Sequence, residues 1–285
     1  MFQNPFSIRD FIRELRASIR INARRPAFFC SACCILGIGI GATSSVFAIT
    51  RAVLLAPLPF PDPNRLFVIQ SVLENSKTKN FVSPGAFLDL LDRNRSFERV
   101  GACTDAYYTA SGHGQATERI YALMASPSLL RTLGTQPAEG RFFTDSEWRK
   151  GPNTTSVVIL SSGMWAKRFA GKSFSPQTLL LGDQRYDVIG VLPKNFFFFG
   201  RKVDAIVPLG LPRDDNGEPS RSSRYLTVIG RTSAQVSPEA MQADMSRISR
   251  ELAMQYPLTD GSRRLYAKRL DSVVFGNIEG ALLAL

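Results

Sequence analysis

From Pro26 to Thr50 the chain reads PAFFCSACCILGIGIGATSSVFAIT, twenty-five residues without a charge. More than ~18 mostly apolar residues in a row can cross a bilayer, because ~20 residues rising ~1.5 Å each match a hydrocarbon core of ~30 Å. A cleaved secretory signal fits less well, since its apolar region is roughly 7–15 residues behind a short basic start. A buried soluble helix is the remaining alternative. The reading is a retained signal-anchor, one N-terminal transmembrane helix.

The flanks orient it. Arg9, Arg13, Arg16, Arg20, Arg24 and Arg25 precede the run against only Asp10 and Glu14, and basic residues beside a first span hold that end in the cytoplasm. The N-terminus is expected in the cytoplasm and the chain from Pro57 onward across the membrane. The net charge of +11 over 285 residues then has a simple origin: seven arginines and two acids before Pro57 contribute +5, leaving +6 for the rest. No nucleic-acid partner is expected from so diffuse a charge. Cys30, Cys33 and Cys34 lie inside the apolar run as small hydrophobes, and Cys103 has no partner outside it for a disulfide.

Residues 7–24 place Ile8, Phe11, Ile12, Leu15 and Ile19 on one helical face and arginines on the other. Such a helix lies on a lipid surface with its cations toward headgroups. It serves either as an orientation anchor or as a coupling element toward a cytoplasmic partner. Within the apolar run Gly37, Gly41 and Ser45 recur every fourth residue and Ala48 continues their face, a small-residue stripe that lets another helix approach closely. Helix flexibility is the plainer explanation. A packing face implies further spans, hinted at only by Ala281–Leu285 (ALLAL). A helix continuing through Arg51 to Leu55 would run about 45 Å at ~1.5 Å per residue, with Arg51 reaching the outer interface.

Pro57, Pro59, Pro61 and Pro63 follow at every second position. Proline lacks an N–H and fixes φ, so neither a helix nor a paired strand accommodates that spacing. The expectation is an extended, polyproline-like connector, reaching roughly 25 Å at ~3.1 Å per residue.

Beyond it the pattern is α+β. Strands are predicted over 65–73, 97–110, 117–124, 155–160, 204–209, 224–232 and 263–272, with a hairpin over 177–192 turning near Gly182-Asp183. Helices are predicted over 83–94 with Ser83 as N-cap, and over 126–134, 161–170 and 237–257. The polar stretch 211–223 reads as a loop. Two β-α-β units thus flank a middle region of different texture, which suggests a split domain carrying an insertion.

Chemistry-bearing motifs are weak. His113 stands alone in a glycine turn. AGKS at 170–173 lacks the first glycine of a phosphate loop, because position 166 is Ala166, and it follows a helix instead of opening one. LSSGMW at 160–165 lacks the first glycine of a nucleophile elbow. No enzyme activity, cofactor or metal is expected. KNFFFFG at 194–200 is the oddity. Phe196, Phe197, Phe198 and Phe199 form either a half-buried turn packed into the core or an exposed patch for a periplasmic partner or the membrane.

The block RRPAFF…LGIGIGATSSVFAITRAVLLAPLPFPDPNRL (24–66) closely resembles the start of MacB-like, FtsX-type ABC transporter permeases, particularly the duplicated orphan branch. SPGAFLDLLDRNRSFE, LLRTLGTQPAEGRFFTDSE and VVILSSGMWAKRFAG…LLLGDQRYDVIGVLPKNFFFF are similar to later family segments. Arg25-Pro26 replaces the family's Asn-Pro. The resemblance implies an inner-membrane permease with a periplasmic domain of two subdomains. The porter-like one would be discontinuous, over 65–125 and 222–274, and the inserted α+β one would span 126–221. Residues 1–25 would be the cytoplasmic helix, 26–56 the span and stalk, 57–64 the connector and 275–285 the start of a second span, cut short. It also implies mechanical relay to the periplasm from a separate cytoplasmic ABC ATPase, since the chain has no nucleotide motif. Further permease spans or a second permease copy would complete the assembly. A signal-anchored binding module without transport is the alternative.

Overall fold

The computed structural model describes residues 26–54, 58–74, 79–112, 115–148, 156–170, 174–211, 213 and 217–274. The amphipathic helix expected over 7–24, Pro57, His113 and Ala281–Leu285 lie outside them. The chain divides into two compact units, 1–57 and 58–285.

The first unit contains α1 (Pro26–Leu54), one unbroken helix of 29 residues. Its described side chains are Ala27 and those from 30 to 45, nearly all exposed, with Ile35 at 72% and Ile38 at 73%. A Cβ at Gly37 or Gly41 would meet nothing within 4 Å. Among the described residues no helix is long and apolar enough to cross a membrane.

In the second unit the elements run β1 (Leu66–Leu73), β2 (Lys79–Asn80), α2 (Pro84–Arg93), β3 (Phe97–Gly112), β4 (Gln115–Ala125), α3 (Ser128–Leu133), β5 (Glu139–Gly140) and α4 (Asp145–Trp148). They continue through β6 (Val157–Leu160), α5 (Ser162–Phe169), β7 (Gln177–Leu181), β8 (Gln184–Val191), β9 (Phe197–Phe198), β10 (Arg201–Lys202), β11 (Ala205–Pro208), β12 (Thr227–Thr232), α6 (Pro238–Gln255), α7 (Pro257–Asp260) and β13 (Arg263–Arg269). Local chemistry sets most of these boundaries. Ser83, Ser161 and Ser237 cap α2, α5 and α6 by accepting from the backbone N–H three residues on, which satisfies an orphan donor of the first turn. Gly134 closes α3 with a left-handed φ of 73°, and Gly182, at φ 61°, supplies the turn between β7 and β8.

Among the described residues eleven strands form one sheet, in the order β13-β1-β12-β3-β4-β11-β6-β8-β5, with β2 beside β1 and β7 beside β3 and β8. Neighbours are antiparallel except β4–β11 and β6–β8. β1 lies between β12 and β13, so the chain before residue 126 and the chain after 221 build one layer. Their common core holds Ile69, Phe87, Leu90, Val228, Ile248 and Leu265. The intervening stretch has a second core around Leu160, Trp165, Leu179 and Val188. A third spans both, through Leu66, Leu123, Leu133, Ile159, Phe196 and Ile229. The expected insertion therefore extends the same sheet through the parallel pairing of Ala205–Pro208 with Ala122–Ala125. β13 stops at Arg269, short of the predicted 272, and the backbone turns helical from Leu270.

The connector is not the extended rod expected. Pro61 is followed by Asp62 in the left-handed region (φ 46°, ψ 58°), then by a 3-10 turn over Pro63–Arg65, and Phe60 is buried. Proline fixes only its own φ. The residue before each proline is biased toward extended backbone, but Asp62 departs from that bias, and Phe60 two residues earlier is buried in the core.

Gly101 of β3 passes so close to α3 that a Cβ there would stand 2.5 Å from Leu129 Cα and 2.9 Å from its N. Backbone cannot yield as a side chain can. Gly101→Ala in the purified full-length chain is expected to destabilise the body by about 2 kcal/mol or more, read as a lowered thermal midpoint. Asp244 gives an acid signature. Burial pushes its carboxyl up, but the Arg95 N–H, Arg247 and Ser96 outweigh that and hold it below the ordinary range. A lowered carboxylate stabilises the fold above its unfolded pKa and loses that contribution as pH falls through the folded value. Urea midpoints measured from about pH 5 down to about pH 2 are expected to fall less steeply in Asp244→Asn than in the unaltered chain.

Candidate functional site

The functional geometry gathers where the described chain enters and leaves the body. Leu58 packs against the shared core, and the buried Phe60 meets Phe196 edge-on at a centroid distance of 6.4 Å. Pro61 rests against Gly134, its Cγ and Cδ 3.2 Å from where a Cβ would stand. Arg231 Nη2 donates to the Pro61 carbonyl at 3.0 Å while its Nε donates to the Thr132 carbonyl at 2.7 Å. Arg231 is 4% exposed, and burial, with Arg65 nearby, lowers its pKa. A guanidinium stays charged even so, and its two carbonyl bonds tie the connector to α3 and β12. Arg65 adds a bond to the Thr232 carbonyl at 2.8 Å and an ion pair with Glu98 at 2.7 Å.

The outgoing chain is held beside the incoming one. Phe67 of β1 stands opposite Arg269 of β13, and Arg269 Nη2 donates to Asn64 Oδ1 at 2.5 Å. Arg269 also pairs with Asp271, Leu270 is buried in the shared core, and Val273 and Val274 pack on it. Both ends of the body are thus fastened at one place by three arginines (Arg65, Arg231, Arg269).

A cleft of about 420 Å³ reaches the outgoing end at Val273 and Val274, lined on its apolar side by Val68, Phe81, Phe198, Phe199 and Val274. Its polar side is a linked group. Tyr121 Oη donates to Asp105 at 2.8 Å, Arg201 pairs with Asp105 at 3.0 Å and donates to Tyr107 Oη at 2.7 Å, and the Arg201 guanidinium lies 3.9 Å over the Tyr121 ring. Burial and Asp105 push the Tyr121 phenol well above its usual pKa, which makes it a proton donor in hydrogen bonds and a poor base. Burial likewise raises the Cys103 thiol, away from the thiolate that reacts. The arrangement suits apolar and stacking contacts held in place by charge.

The residues singled out in the sequence separate into three groups. Gly37, Gly41 and Ser45 are exposed on α1, while the side chains of Ala48 and Arg51 and the whole of Pro57 lie outside the described residues. Pro59 and Pro61 are exposed and Pro63 half-buried at the connector. The four phenylalanines do not form one patch. Phe196 and Phe198 are buried, Phe199 is half-buried and only Phe197 faces outward. The arginine clamp was not anticipated, although one signal was present: Arg231 interrupts TVIGRT (227–232), a run too apolar to tolerate a cation without partners.

Strands from both flanking segments with helices on them, extended by an inserted α/β stretch in the same sheet, define the class: a mixed α/β core domain between two chain connections. The chain belongs to the family of MacB-like periplasmic core domains, whose profile matches residues 32–248. The fold is similar to that of a domain of a putative permease protein from Porphyromonas gingivalis, at a TM-score of 0.55 and 16% identity over 74% of this chain and 93% of that one. It is also similar to the periplasmic region of MacB from Actinobacillus actinomycetemcomitans, at 0.53 and 13% over 76% of this chain and 94% of that one. No curated protein matches the sequence.

Arg231→Met removes two donors and leaves the Thr132 and Pro61 carbonyls unpaired. A loss of about 2 kcal/mol or more is expected, together with faster hydrogen exchange over residues 62–66 and 130–134. Arg65→Met, at a half-exposed site, is expected to lose clearly less.

Proposed function

We propose that the chain is the membrane-anchored periplasmic core of a MacB/FtsX-type ABC transporter permease and relays conformational change across the membrane. In this reading α1 spans the inner membrane with its N-terminus in the cytoplasm, and a separate ABC ATPase drives it from that side. The observation that carries the relay is the clamp. Arg231 and Phe60 seat the connector on the shared core, and Arg269 fastens the outgoing chain beside it. A displacement of either end would therefore reach the sheet without slack. Family membership and the charge-free run 26–50 support the membrane assignment.

A second reading, an anchored adaptor without transport, draws on a different place. Met254 at the end of α6 is 77% exposed and Leu258 in α7 fully so, side chains suited to a protein contact.

Two measurements decide. Alkaline carbonate should leave the protein in the membrane pellet, and protease added to spheroplasts should digest the body; a protected body would contradict the orientation. In the assembly that co-purifies with an ATPase, Arg231→Met and Phe60→Ala should each uncouple hydrolysis from outer-domain movement, as should Gly-Ser replacement of Pro57, Pro59, Pro61 and Pro63. Unchanged coupling in all three defeats the relay. Absence of any co-purifying ATPase favours the adaptor.

A further inference from the structure

One face of the sheet carries an open site. Ile69 pairs with Val228, so Gln70 stands one step on beside Thr227, and Thr227 lies opposite Cys103. Asp105 and Tyr107 follow on the same face by the strand period of two, with Tyr121 opposite Tyr107. Ile69, Ala102 and Val228 point the other way, into the core that α2 and α6 share. On the first face Cys103 joins Leu129 of α3 in the shared core, whereas Gln70, Thr227, Asp105 and Tyr121 line the cleft of about 420 Å³. The hairpin of β9 and β10 adds Phe198 and Phe199 to it, and Phe81, 56% exposed, lines it as well. That volume suits one small organic molecule.

The lining restricts what that molecule is. Among the described residues Asp105 and Arg201 are the charged ones that line the cleft, and they neutralise each other. One Asp105 oxygen accepts from Tyr121 Oη at 2.8 Å and the other from Arg201 Nη1 at 3.0 Å. A charged ligand would have to break this pair or enter without a counter-ion, and either is costly. Among the described residues Gln70 Oε1 is buried with no hydrogen-bond partner, and an acceptor left so costs stability until a donor reaches it. The last torsion of a glutamine is broad, so its amide turns readily toward a group in the cleft, beside the Thr227 hydroxyl. We propose that this cleft binds an uncharged, mostly apolar organic molecule bearing an amide or hydroxyl group. Its body would lie against Phe81, Phe198 and Phe199, and its polar group would bond Gln70 and Thr227. The site lies within the 58–285 unit and needs neither a membrane orientation nor an ATPase.

The test uses the full chain in detergent micelles with para-benzoylbenzamide, an uncharged probe whose ketone attaches to nearby C–H bonds under ultraviolet light. Mass spectrometry of the digest is expected to find it, saturably, on peptides containing Phe81, residues 196–202 or residues 271–274. Excess N-cyclohexylbenzamide should compete it away. Its anionic counterpart, para-benzoylbenzoate, should need about tenfold more to reach the same labelling. Labelling confined to α1 reports partition into the micelle and overturns the proposal, as does equal labelling of the cleft by both probes. Gln70→Leu with Thr227→Val removes both polar groups at nearly constant size. The half-saturating concentration of para-benzoylbenzamide is then expected to rise about tenfold, and an unchanged value overturns the assignment. Should that double variant fail to fold, hydrogen exchange over residues 68–70 and 225–228 of the unaltered chain is compared with and without N-cyclohexylbenzamide. Slower exchange with the amide present is expected, and equal rates overturn the proposal.

Discussion

The pairing of β1 with both β12 and β13 is the constraint on which the rest of the body depends. Leu66–Ile69 sit against Val228–Arg231 on one side, and Phe67–Leu73 against Arg263–Arg269 on the other. Some 160 to 200 residues separate these partners in sequence. Such non-local pairing carries a large loop-closure entropy before its contacts return anything. Once it forms, however, the segments that enter and leave the body lie side by side, α2 and α6 share a core, and β11, β6, β8 and β5 extend the sheet from β4 outward. The placement of the clamp, the cleft and the aromatic hairpin follows from this closure.

Arginine does much of the joining. Arg231 and Arg65 each reach a backbone carbonyl far away in sequence, and Arg247 reaches the Arg93 carbonyl while pairing with Asp244. On the helical side Arg221 pairs with Asp89 at 2.5 Å and lies over the Tyr256 ring, and Arg224 pairs with Asp260 at 2.9 Å. A guanidinium offers five donors in a planar fork and is more weakly hydrated than an ammonium, so it can be buried among carbonyls where lysine would be costly. Arg231, Arg224 and Arg221 are held in such ties at buried or nearly buried positions.

Much of the local structure was legible in the sequence. Ser83, Ser161 and Ser237 precede their helices as caps, Gly182-Asp183 turns a hairpin, and the alternation in DAYYTA (105–110) matches a strand whose Ala106 and Tyr108 are half-buried and Ala110 buried while Asp105, Tyr107 and Thr109 are exposed. These features depend on interactions a few residues apart. The connector was misread because proline spacing describes backbone stiffness and is silent about what Phe60 packs against. The four phenylalanines were ambiguous for a related reason. Their distribution between core and surface depends on the hairpin register and on Tyr121 and Phe60, both distant in sequence.

By itself the sequence determined the caps, the turns, the periodicity of the strands, the family and the apolar run at 26–50. All are local patterns or direct consequences of them. Only the tertiary structure decided that the insertion continues the sheet, that the proline segment is seated instead of extended, and that Arg231 has the Pro61 and Thr132 carbonyls for partners. Those outcomes turn on which distant surfaces meet. A single chain does not write that down, because a buried carbonyl accepts from any donor the fold delivers.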